Sequence, residues 1–181
     1  MKFSLSPLLS AAIVAGLMAI APAVPASAQS IGKTAPDFVG RTQSGDEIRL
    51  SDLRGKVVVL DFWASWCGPC REEMPFLVSL ARELKNEDFQ IVGINVDEQT
   101  EDMNAFLAGL GTRPTFPIVL DPRGDIAANY RLPGMPTTVF VDRDGVTRLA
   151  HSGFKDKDKD LYRDTLKKML AAAPSVPPQT N

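Results

Sequence analysis

Histidine is almost missing from this chain: His151 is the single one in 181 residues. Cysteine is nearly as scarce, with only Cys67 and Cys70. One histidine rules out a histidine-rich metal centre and removes most acid–base triads, which lean on an imidazole near neutral pH. Two cysteines with one histidine also fall short of the four ligands of a structural zinc site. Positive charge is not in excess. The formal net charge is −2 at pH 7, so no global basic field recommends nucleic acid as a partner. What remains is ordinary for a folded domain, with 44% hydrophobic and 23% charged residues, and this sets aside disordered, collagen-like and coiled-coil readings. No cofactor is implied.

The N-terminus differs in kind from the rest. Lys2 is the only charge before residue 29, an apolar stretch runs from Leu8 to Ala21, and Pro22 and Pro25 break it. Ala26-Ser27-Ala28 then supplies small residues in an A-x-A pattern. That order predicts a signal peptide over 1–28, and the stretch is short of the ~20 residues of a membrane span. An uncleaved anchor is the alternative. The expected organisation is therefore a signal over 1–28, a domain over 29–172 and a disordered tail over 173–181. An exported protein meets an oxidising compartment in which a nearby pair of thiols closes readily. A loop this small gains little from a disulfide as a staple, which tilts the pair toward chemistry.

Along the domain, patterns of period two and period 3.6 alternate. A hairpin is expected from Phe38 to Leu50, turning near Ser44-Gly45, and a doubly buried strand from Val57 to Phe62. A helix should open at Cys67 and reach Lys85, with Met74, Leu77, Val78, Ala81 and Leu84 on one face and a kink at Pro75. Strands follow at Phe89–Val96 and Phe116–Leu120, around a helix from Glu101 to Leu110. A helical turn over Asp125–Tyr130, a hairpin of Thr137–Val141 with Val146–His151, and a helix from Asp158 to Ala172 complete the domain. Strands alternating with helices give an α/β architecture with a mixed sheet.

The chemistry concentrates in Trp66-Cys67-Gly68-Pro69-Cys70, directly after a buried strand and opening a helix. A helix N-terminus offers unpaired amide donors and about half a positive charge, which favours a thiolate there. Cys67, the exposed first residue, is the expected nucleophile. Cys70, one turn deeper on the same face, is the expected resolving thiol. Pro69 suits the first turn, where no amide hydrogen is needed, and Gly68 leaves a partner room to approach. Asp61 interrupts the buried strand and should point inward, beneath the helix that carries Cys70. Burial raises a carboxylate's pKa, and one poised near neutrality can take the proton from Cys70.

The segment VVVLDFWASWCGPC (57–70) resembles the active-site region of thioredoxins. APDF (35–38), LSDLRGK (50–56), PGMPTTVFVDRDG (133–145) and Pro75 extend the similarity, over about 32–172, to the exported TlpA and ResA family. The resemblance implies a thioredoxin-like fold with an N-terminal hairpin and an extra β–α insert at 93–120. It supports the role of Asp61, since thioredoxin carries Asp at the matching position. It also implies that Met135-Pro136 is a cis-proline segment whose backbone pairs with an extended substrate strand. Trp66 is expected to cover Cys67, and Trp63 to be mainly core.

The activity so implied is reduction of disulfides in exported periplasmic proteins, with apocytochrome c as the favoured substrate. A membrane donor of the DsbD or CcdA kind would supply the electrons, and the protein is expected to be a monomer. A disulfide oxidase or isomerase on the same fold is one alternative. A Sco-like copper carrier is another, with Cys67, Cys70 and His151 as Cu(I) ligands, although Sco-like proteins space their cysteines one residue wider. A peroxidase reading lacks the P-x-x-x-T-x-x-C pattern before Cys67.

Overall fold

The structure, a computed structural model, describes residues 31–84 and 88–173. The expected signal peptide and nearly all of the expected tail lie outside the described residues. Five strands form one sheet in the order β5-β4-β3-β6-β7: β3 Val57–Trp63, β4 Phe89–Asn95, β5 Ile118–Leu120, β6 Thr137–Val141 and β7 Thr147–Ser152. The first three run parallel, and β6 and β7 are each antiparallel to the strand before them in that order. Ahead of them, β1 Val39–Arg41 and β2 Glu47–Arg49 make a separate antiparallel ribbon. This is a thioredoxin-like α/β fold with the expected hairpin.

The helices are α1 Gly68–Glu83, α2 Thr100–Ala108, α3 Asp125–Asn129 and α4 Asp158–Ala171. Parallel strands need a crossover; α1 supplies it between β3 and β4, and α2 between β4 and β5. The predicted insert at 93–120 thus resolves into the end of β4, α2 and β5. Helix α1 continues through Pro75.

Every residue of β3 is buried, so its alternation sorts neighbours rather than core from solvent. Val57, Val59 and Trp63 belong to a cluster with Met74, Leu77 and Val78 of α1, Met103 and Phe106 of α2, and Tyr162 and Leu166 of α4. Val58, Leu60 and Phe62 belong to a second cluster with Phe38, Leu50, Ile126 and Tyr130. Trp63 is fully core, its ring centroid 5.0 Å from that of Phe106. A Cβ at Gly93 would stand 3.2 Å from Trp63 Nε1, so a side chain there would press on the indole. On the far face the Tyr130 hydroxyl donates to the Pro36 carbonyl at 2.7 Å, which fastens the N-terminal segment to the end of α3.

Candidate active site

Two consequences of the topology converge at one end of β3. The chain leaves β3 at Trp63 and enters α1 at Gly68, so the helix tip sits at the carboxyl end of a central strand. Because β6 runs antiparallel to β3 with Phe62 opposite Thr137, the residues preceding β6 arrive at the same end. They include Met135-Pro136, whose peptide bond is cis.

Cys67 is the N-cap of α1, and its Sγ accepts from the Cys70 amide at 3.2 Å. The first helical turn contains no acidic side chain, and Pro69 lies within it. A disulfide joins Cys67 to Cys70 across a Cα–Cα distance of 5.3 Å. Gly68 and Pro69 are exposed, and a Cβ at Gly68 would meet nothing within 4 Å. The expectation that Cys67 is exposed needs correction: it is 5% exposed against 1% for Cys70. Both sulfur-bearing residues lie in the apolar cluster of the α1 face, with Met135 packed against its border. Trp66 itself is 71% exposed. The indole stands out beside the site. Among the described residues, neither the amide nor the carbonyl of Met135 takes part in a backbone hydrogen bond, while Thr137 Oγ1 donates to the Gly134 carbonyl at 2.6 Å and steadies the loop.

Asp61 is 1% exposed and shares the α1-facing parity of Val59 and Trp63. Its Oδ1 has no hydrogen-bond partner among the described residues. Burial, and then the charge of Glu73, raise its pKa well above the usual carboxylate range. Glu73 was missed by the sequence reading. It lies three residues after Cys70, is buried, and its Oε1 accepts from Thr138 Oγ1 at 2.6 Å and from the Tyr162 hydroxyl at 2.8 Å. Its Oε2 has no partner among the described residues. Burial outweighs the two hydrogen bonds and pushes its pKa up to about 7. Thr138, which bonds Glu73 through its side chain, sits opposite Asp61 in the β3–β6 register. The signal for Glu73 was present: Cys70, Glu73, Met74 and Leu77 follow the i, i+3, i+4, i+7 spacing of a buried stripe.

His151 is not brought to the cysteines as a ligand. It sits on β7 with Nε2 3.3 Å from Asp158 Oδ2 and its ring edge-on to Tyr162, and no group of three potential metal ligands forms among the described residues.

A disulfide closed across the tip of a helix, with a cis-proline loop beside it and a buried acid on the strand below, is built to exchange electrons with thiols. Fold and site together define a thiol–disulfide oxidoreductase. Residues 31–150 match the AhpC/TSA family. The thiol-disulfide oxidoreductase ResA of Geobacillus kaustophilus is 38% identical over 137 residues, 76% of this chain and 77% of that protein. The thioredoxin-like protein YneN of Bacillus subtilis is 39% identical over 70% of this chain and 74% of its own length. Among solved structures, a candidate thiol:disulfide interchange protein DsbE from Chlorobium tepidum superposes with a TM-score of 0.73 at 39% identity, covering 78% of this chain and 98% of that one. The chain belongs to the AhpC/TSA family of redoxins, as a thiol–disulfide oxidoreductase of the ResA and DsbE type.

Proposed function

We propose that this protein is exported and acts outside the cytoplasm as a reductant of disulfides in other exported proteins. Apocytochrome c is the favoured substrate, and a membrane donor of the DsbD or CcdA kind restores the dithiol. The observation that carries the exchange chemistry is the buried Asp61, whose Oδ1 has no partner among the described residues, on the strand leading into the Cys67–Cys70 helix. The thioredoxin-like Gly-Pro pair between the cysteines supports the reductive direction. Export is supported by the pattern of residues 1–28.

In the reduced protein the Cys67 thiolate is stabilised by the Cys70 amide and the positive end of α1. It attacks one sulfur of the substrate disulfide, forming a mixed disulfide and expelling the other substrate sulfur as a thiolate. The Cys70 thiol then gives its proton to the Asp61 carboxylate and attacks Cys67 Sγ. The intramolecular disulfide forms, and the second substrate sulfur leaves. The substrate has gained two electrons and the dithiol has lost them. A carboxylate of raised pKa suits this step because its proton affinity approaches that of the thiol it must deprotonate. Trp66, Gly68 and Pro69 present the helix tip to the partner, and the free backbone groups of Met135 pair with the partner's extended chain beside Pro136.

Two measurements test this. The reduction potential should lie near −270 mV, and a value above about −180 mV would reverse the direction of electron flow. Expression of Cys70→Ser in the native cell should trap substrates on Cys67. Apocytochromes among them support the favoured substrate, a broad set of secreted proteins points to general disulfide reduction, and an empty trap overturns the exchange mechanism.

A further inference from the structure

A third buried acid, besides Asp61 and Glu73, stands near the site and takes no part in the chemistry just described. Asp97 lies two residues past the end of β4 and is buried. Both of its oxygens accept from the Ser65 amide at 3.0 Å, Oδ1 accepts from the Ser65 hydroxyl at 2.9 Å, and Oδ2 accepts from Asn95 Nδ2 at 2.8 Å. The Asp97 amide returns a bond to Asn95 Oδ1 at 3.2 Å. Ser65 belongs to the short link between β3 and the helix tip, whose ends are also tied: Val96 N donates to the Trp63 carbonyl at 3.1 Å, and Cys67 N to the Ala64 carbonyl at 3.2 Å.

The next residue is Trp66. An indole left 71% exposed has little packing of its own to fix it, so its orientation is inherited from the backbone on either side. On one side that backbone is the Cys67 cap. On the other it is Ser65, held across 32 residues of sequence by one carboxylate. We propose that Asp97 is a positioning residue for disulfide exchange: it clamps Ser65 and thereby presents Trp66 and Cys67, already ordered, to a docking protein chain. The clamp rests on the reading that a protein disulfide docks against Trp66 and Cys67. Without it the link must be ordered at each encounter, and the cost falls on binding rather than on sulfur chemistry.

The test is the pair Asp97→Ala and Asp97→Asn, assayed on folded protein with insulin and with the small aromatic disulfide DTNB, which needs no docking surface. Asp97→Asn keeps the volume but, in either orientation of its amide, sets a nitrogen against the Ser65 amide, because both oxygens it replaces accept from that N–H. Both variants should raise KM for insulin about tenfold, keep kcat within about twofold, and leave the DTNB rate unchanged. An unaltered insulin KM in Asp97→Asn overturns the clamp, as does a DTNB rate that falls in step with insulin turnover. Failure of the unsubstituted protein to reduce insulin while it still reacts with DTNB would instead sink the docking reading itself.

Discussion

The two faces of the central sheet share the same strands and differ in what the strands are used for. On the far face, β3 contributes Val58, Leu60 and Phe62 to a cluster of aliphatic and aromatic side chains whose polar tip, the Tyr130 hydroxyl, is satisfied by Pro36. On the α1 face, the same strand contributes Val57, Val59 and Trp63, and with them Asp61. That face also holds Glu73, Thr138, Tyr162 and the disulfide. A buried polar atom without a partner costs about 1–3 kcal/mol, and on the α1 face Asp61 Oδ1, Glu73 Oε2 and Trp63 Nε1 have none among the described residues. One side of the sheet is spent on stability, the other gives some of it up near the sulfurs.

Substitutions on the two faces should therefore separate rate from stability. Cys67→Ser has the largest expected effect: disulfide reduction falls to background, measured by insulin turnover, with the fold retained. Asp61→Asn comes next, slowing resolution of a preformed mixed disulfide by about 100-fold, the scale of a lost proton acceptor, in rapid-quench assays. Its neighbour Leu60→Ala, aimed the other way, should leave that rate alone and cost about 3 kcal/mol in urea unfolding. Equal kinetic damage from both would erase the distinction between the faces.

A smaller effect concerns pH. The folded pKa of Glu73, about 7, lies above its ordinary value of 4.5, so its contribution to stability is fully present below the ordinary value and is lost as pH rises through the folded one. Unfolding of the oxidised protein should show about 2 kcal/mol less stability at pH 8 than at pH 5 from this group, at ~1.4 kcal/mol per pKa unit. Glu73→Gln should flatten that part of the profile. Asp61, raised by burial and then by the charge of Glu73, adds a decline of the same sign. Smallest of all, Trp66→Ala should raise KM for insulin about fivefold, in keeping with an exposed aromatic contact, without touching the DTNB rate.

Most of the fold was legible because local pattern and tertiary environment agree. The strand expected at Thr137–Val141 occurs with those bounds, and the helix expected to open at Cys67 has Cys67 as its N-cap. Asp61 was legible for the same reason, since alternation along a doubly buried strand leaves an acid nowhere to go but inward. Glu73 was obscured by its company: in Arg71-Glu72-Glu73 two exposed charges flank it, and only the helical period separates it from them. The burial of Cys67 and the bond from Ser65 to Asp97 depend on segments far apart in the chain. No local window contains them.

The N-terminal segment has a consequence for the sheet's borders. Thr42 bridges Val119 and Gln43 donates to the Ile118 carbonyl along β5, with Gly40 so close to Val119 that a Cβ there would lie 2.3 Å from Cγ1. At the opposite border, Gly32 and Lys33 exchange hydrogen bonds with Thr147 at the start of β7. One stretch of chain thus wraps the sheet and blunts both of its outer strands, where an open ladder invites self-association. A protein proposed to pair with an extended partner strand keeps its own margins closed, and leaves that invitation open only beside its sulfurs.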